Sequence, residues 1–186
     1  MFGVINGLGR ALISRGTAVS TDLVNHIFSG LFIVLVIYAM VTDTRYLRIG
    51  NSISFSLVGL FFLYVLLVKP DISISQHLLV AFGVFAVGFV PFVLRWFAGG
   101  DVKLMTALAL WAGPSHILPF AALSGLLGGS LGLAVLAIGW IDKYGEGIGM
   151  PTSARRIMPH WAKRGLCPYG LAIGSAALII MPSQFA

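Results

Sequence analysis

Acidic side chains are few in this chain: Asp22, Asp43, Asp71, Asp101, Asp142 and Glu146 are the whole set. Asp43 lies in YAMVTDTRYLRIGN and Asp101 in AGGDVKLM, each where an apolar stretch meets a polar one. A carboxylate near membrane depth is costly and marks a functional position by default. Two of them brought together suit peptide hydrolysis without a metal. One, ionised, takes a proton from water; the other, protonated, donates to the carbonyl oxygen. Like charges in contact resist ionising together, so such a pair titrates as a unit. Gly99 and Gly100 let the backbone turn tightly and let an extended peptide approach without a Cβ in the way.

Plainer roles compete for both aspartates. If helical, Asp43 faces Ala39, Met40, Tyr46 and Leu47, and Asp101 faces Phe97, Ala98, Leu104 and Met105, with no charge in either set. Arg45 and Lys103 sit two positions on, where helical side chains point apart. Ion pairing is therefore not supplied locally. Asp101 could instead cap the helix that follows it. Asp142 and Glu146 open a long polar stretch, where solvated charge is the ordinary explanation.

The elements that must position these groups follow from composition. Of 186 residues, 58% are hydrophobic and 10% charged, whereas a soluble domain carries roughly 25% charged residues. A bilayer span uses about 20 apolar residues. The expected class is an all-α, polytopic membrane protein, a six-transmembrane-helix bundle. Its spans run from about Leu23 to Val41, Ile53 to Val68, Leu78 to Leu94, Val102 to Ala112, Leu118 to Ile141 and Tyr169 to Met181. Residues 1–22, with two arginines and no long apolar core, read as an interfacial or loosely ordered N-terminal segment; residues 23–186 form the membrane domain. The run from Leu23 is too long for a signal-peptide core and has no small-residue cleavage site after it.

Six spans put both termini on one side. Loops one, three and five then hold nine of the twelve basic residues: Arg45, Arg48, Arg95, Lys103, Lys143, Arg155, Arg156, Lys163 and Arg164. The positive-inside rule makes those loops cytoplasmic, with Asp43 and Asp101 at that surface and both termini outside. The net charge of +6 flanks apolar runs rather than forming an aromatic-interleaved basic patch, so nucleic acid is not an expected partner. Cys167 is the single cysteine, and His26, His77, His116 and His160 form no paired spacing. No metal site is expected from them. Gly125 with Gly129, Gly128 with Gly132, and Gly170 with Gly174 are small-xxx-small pairs, which let helices approach closely in lipid. Packing inside the bundle is the expected use, with a homo-oligomer the alternative.

AGGDVKLM resembles the Gly-x-Gly-Asp motif of the prepilin peptidases, which in that family continues into Val/Ala-Lys-Leu. DTRYLRIGN resembles the family's first-aspartate block, an Asp followed by Ile-Pro-Asn, and PYGLAIG resembles its Pro-Tyr-Gly-x-Ala-Ile ending. The blocks occur in the family's order from Asp43 to Gly174, most closely as in the short members that serve tight-adherence (Flp-type) pili. Those lack a cytoplasmic zinc-binding insertion, which agrees with a single cysteine.

The resemblance implies an aspartic endopeptidase of the bacterial inner membrane. It would remove the basic leader of prepilins or pseudopilins at the cytoplasmic face, after Gly and before the pilin's apolar helix. Asp43 and Asp101 carry over as the catalytic pair, and Gly99, Gly100, Lys103 and Asn51 as supporting motif positions. Ala98 stands where the motif has its first glycine, and Gly50 where it has proline; neither change removes a catalytic group. Longer members also methylate the new pilin N-terminus with S-adenosylmethionine. Nothing here marks a site for that donor, and no cofactor is expected. The alternative from another class is a small proton- or cation-coupled transporter with Asp43 and Asp101 as pathway acids. That reading favours acids at mid-membrane and broken helices in two matching halves, neither of which is evident. A catalytically inactive assembly factor is a third reading, opposed by the presence of both aspartates.

Overall fold

The computed structural model describes residues 2–95, 97–144 and 167–185, with side chains described except at 2–21, 142–144, 183 and 184. Five helices follow one another: α1 (Phe2–Tyr46), α2 (Asn51–Leu67), α3 (Ile74–Val93), α4 (Gly99–Tyr144) and α5 (Tyr169–Ile180). A short 3₁₀ turn, Met181–Gln184, follows α5. No strand occurs among the described residues. The breaks fall where chain chemistry demands them. Leu47 takes a left-handed φ of 52° just after α1, Gly50 is extended ahead of α2, and α2 ends shortly before Pro70, which disfavours helix in the residue before it.

The expected all-helical class holds, but the expected six spans do not. Among the described residues three stretches are long and apolar enough to cross a membrane: Asp22–Tyr46, Ile74–Val93 and Gly99–Ile141. Two causes reduce the number. The fourth and fifth expected spans share α4, because only Gly113 between them leaves helical geometry and no polar loop intervenes. The second and sixth form helices of 17 and 12 residues, shorter than the roughly 20 that cross a bilayer at full length. The segment before Asp22 is helical from Phe2 and continuous with the first span. Most of the long polar stretch from Asp142 to Pro168, with Glu146, Arg155, Arg156, His160, Lys163 and Arg164, lies outside the described residues.

α3 explains why the chain is so apolar. It buries only Ala81 and Gly88 and turns Leu79, Phe82, Val87, Val90 and Val93 outward. Such a face is unstable in water and suited to lipid tails. The interior is aromatic. Trp111, fully buried, packs against Phe32, Phe61, Tyr64 and Phe185 and donates its indole N–H to the Leu57 carbonyl at 3.0 Å. That cluster joins α1, α2, α4 and the C-terminal turn.

The break in α4 has a local cause and a partner. Pro114 has no N–H, so the Leu110 carbonyl loses its helical donor four residues on. His77 Nδ1 sits 2.7 Å from that carbonyl, which makes Nδ1–H the donor, and the imidazole stacks on Phe61. Gly113 has φ 57° and ψ −170°, a region essentially reserved for glycine, and a Cβ there would overlap the His77 ring. Gly113→Ala is therefore expected to lower stability by about 1–3 kcal/mol, read as a lower unfolding temperature in detergent. An unchanged midpoint would mean that α4 does not break at Gly113.

Of the small-residue pairs, Gly170 and Gly174 pack α5 onto α1. A Cβ at Gly170 would meet Asp43 and Ile49, and one at Gly174 would meet Met40 and Val36. Gly128 receives the Tyr169 ring. Gly125, Gly129 and Gly132 face open space, so packing within the bundle accounts for only part of the expected pattern.

Candidate active site

Four helix ends meet at one end of the bundle: the C-terminus of α1 and the N-termini of α2, α4 and α5. Long-range contacts tie them together. Gly170 N–H, in the first turn of α5, donates to Asp43 Oδ2 at 2.8 Å, across 127 positions of sequence. Lys103 Nζ of α4 donates to Asn51 Oδ1 of α2 at 2.9 Å. The Phe97 ring lies 4.9 Å from that of Tyr169.

Asp43 and Asp101 both face this junction. They are 5% and 7% exposed, and among the described residues they are the only charged side chains that are buried. Burying a carboxylate is expensive, so two at one place are not explained as solvated helix ends. Asp43 lies within electrostatic reach of Asp101. The Cys167 thiol, in the connection just before α5, is pushed up by burial and by the charges of Asp101 and Asp43. Cys167 thus lies within electrostatic reach of both carboxylates. Each aspartate also has a backbone amide to itself, Gly170 for Asp43 and Ala98 for Asp101.

Asp101 is the third residue of α4, so it is not the residue preceding the helix, where an N-cap stands. Its reach back to Ala98 resembles the reciprocal half of a capping box. Lys103 and Asn51, for which sequence gave no chemistry, form a polar clasp between α4 and α2 rather than pairing with an aspartate. The room expected beside Gly99 and Gly100 is occupied. The Phe92 ring comes within 3.2 Å of where a Gly99 Cβ would stand, and Ile49 within 3.2 Å of the same point on Gly100. These glycines admit close packing of α3 and of the α1–α2 connection.

Sequence reasoning missed Gly170 and Ile49. PYGLAIG pointed to the right segment, but one sequence carries no signal that an amide there reaches a carboxylate so far back in the chain. Among the described residues no three His, Cys, Asp or Glu side chains gather as a metal-ligand set. Two buried carboxylates, each met by an amide and within electrostatic reach of one another, form an arrangement that can pass protons to and from a peptide bond.

A family model described as the type IV leader peptidase family matches residues 30–133, more than half of the chain and inclusive of both aspartates. No curated protein and no solved structure gives a match.

Proposed function

The chain belongs to the type IV leader peptidase family, and on that premise we propose that it is a membrane-embedded aspartic endopeptidase for prepilins or pseudopilins of the Flp type. The observation that carries this reading is the junction of Asp43 and Asp101, brought together from two helix ends and buried. The substrate is a chain with a short basic leader, a glycine and then an apolar helix, cut after the glycine. Water is activated by one carboxylate and attacks the scissile carbonyl carbon, while the other carboxyl protonates the carbonyl oxygen. Collapse of the tetrahedral intermediate expels the amine, which takes up a proton from the dyad. The Gly170 and Ala98 amides hold the carboxyl groups in place through these steps, so little reorganisation is needed.

The site end of the bundle faces the cytoplasm of a bacterial inner membrane. Arg45, Arg48, Arg95 and Lys103 all lie at that end, as the positive-inside rule requires of a cytoplasmic face. α1 runs toward the site and α5 away from it, and in the proposed orientation both termini are outside. A basic leader is also the natural partner for a site whose buried groups are acidic.

Co-expression with a prepilin of that design tests the reading. Mass spectrometry should find a product beginning at the residue after the glycine, in membranes that contain the protein and not in those that lack it. A cysteine placed at Ser153, with Cys167 replaced by serine, should resist an impermeant thiol reagent applied to spheroplasts. Uncut prepilin, or labelling from outside, would contradict the activity or the orientation respectively.

A further inference from the structure

The two carboxylates are nearly closed off, and one side chain lies across the space between their neighbours. Ile49, in the connection from α1 to α2, has its Cβ 3.2 Å from the point where a Cβ on Gly100 would stand; its backbone N and O are each 3.4 Å from that point. Its Cδ1 lies 2.9 Å from the equivalent point on Gly170, which is itself 2.8 Å from Asp43 Oδ2. Gly100 directly precedes Asp101, and Gly170 donates to Asp43. Ile49 therefore spans the two glycines that border the dyad.

Its position is held from several sides. Leu47, left-handed at φ 52°, donates its N–H to the Asp43 carbonyl at 2.7 Å, which fixes the connection to the end of α1. Ile49 is half-buried and packs against the core. Its β-branched side chain has restricted χ1 freedom and does not swing aside readily.

We propose that Ile49 is the specificity-determining side chain of the site, limiting the substrate residue on the amino side of the scissile bond to glycine. The inference rests on the leader-peptidase reading. During hydrolysis the scissile carbonyl carbon lies between the two carboxylates. The Cα bearing it is about 1.5 Å away, so any side chain on that Cα must enter the space around the dyad, which Ile49 borders where it packs on Gly100 and Gly170. One added carbon changes turnover about 10–200-fold where a pocket discriminates by size alone.

The full-length protein in detergent, given three synthetic peptides, tests this. Each peptide has the same basic leader and apolar helix, with Gly, Ala or Val before the scissile bond. The quantity read is the ratio of kcat/KM for Gly over Ala within one preparation, which does not depend on the folded fraction. The wild type is expected to favour Gly by at least about tenfold. Ile49→Ala should lower that ratio by about tenfold, and Ile49→Val should fall between. An unchanged ratio in Ile49→Ala overturns the proposal, and the Ile49→Val ratio decides if Ile49→Ala fails to accumulate. A wild type that cuts the Gly and Ala peptides equally also overturns it while leaving the peptidase reading intact. A wild type that cuts none of the three overturns both.

Discussion

Asp43→Asn and Asp101→Asn are each expected to reduce processing of a co-expressed prepilin by roughly 10²–10⁴-fold, the range for loss of a general acid or base. Both variants should remain in the membrane at wild-type levels. Asparagine keeps the size of aspartate and an acceptor oxygen, so the contacts with the Gly170 and Ala98 amides persist. The amide also removes a charge that is expensive to bury, so stability should hold or rise. The double variant should be no worse than either single one, because groups acting as a unit are not additive. These outcomes separate the peptidase from a purely structural helix-end role, in which asparagine keeps the acceptor oxygen that meets the Gly170 or Ala98 amide. Normal leader cleavage by Asp101→Asn would end the aspartic-peptidase reading and leave the reach back to the Ala98 amide at the start of α4 as the better account of AGGDVKLM.

Gly170→Val is expected to have the next largest effect. Even the first carbon of a side chain would stand 2.8 Å from Asp43 Oδ2 and 2.9 Å from Ile49 Cδ1, closer than real Cβ atoms come, so α5 or the carboxylate must shift. Misplacement by about 1 Å can cost 10²-fold in rate, and a loss of that order in kcat is expected. Gly174→Ala supplies the comparison, since it packs against the same helix one turn further from the dyad. There the added carbon overlaps Met40 Cγ and Sδ and meets Val36, so it disturbs the packing of α5 on α1 without touching a carboxylate, and the unbranched methionine side chain can swing aside. Processing by Gly174→Ala should stay within several-fold of wild type. Equal losses in the two variants would mean that Gly170 serves only the packing of α5 on α1, and would remove the amide from the account of the site.

Much of the candidate site could be read from the chain because lipid makes charge conspicuous. With six acids in 186 residues, an aspartate beside an apolar run stands out, and its cost near the membrane argues for use. The same sparseness exposed the three motif blocks. The span count was less legible. A break in a helix made by one glycine and one proline looks, in a hydropathy reading, like the loop between two spans. Whether that break becomes a loop or a kink depends on what the freed Leu110 carbonyl finds, and it finds His77 from another helix. The glycines misled in a related way. Space beside Gly99 and Gly100 was legible, but not that Phe92 and Ile49 would fill it.

By itself the sequence determined that this is a helical, membrane-suited chain of the leader peptidase type, with two aspartates placed at element ends. Those properties depend on local quantities: apolar run length, charge density and short motifs. Only the tertiary structure decided that Asp43 and Asp101 share one junction, that a glycine amide 127 positions away holds Asp43, and that Ile49 packs on both Gly100 and Gly170. Each of those is a contact between distant parts of the chain. Such contacts arise from the packing of whole helices, with residues as small as glycine allowing the approach, and no local pattern records which partner arrives.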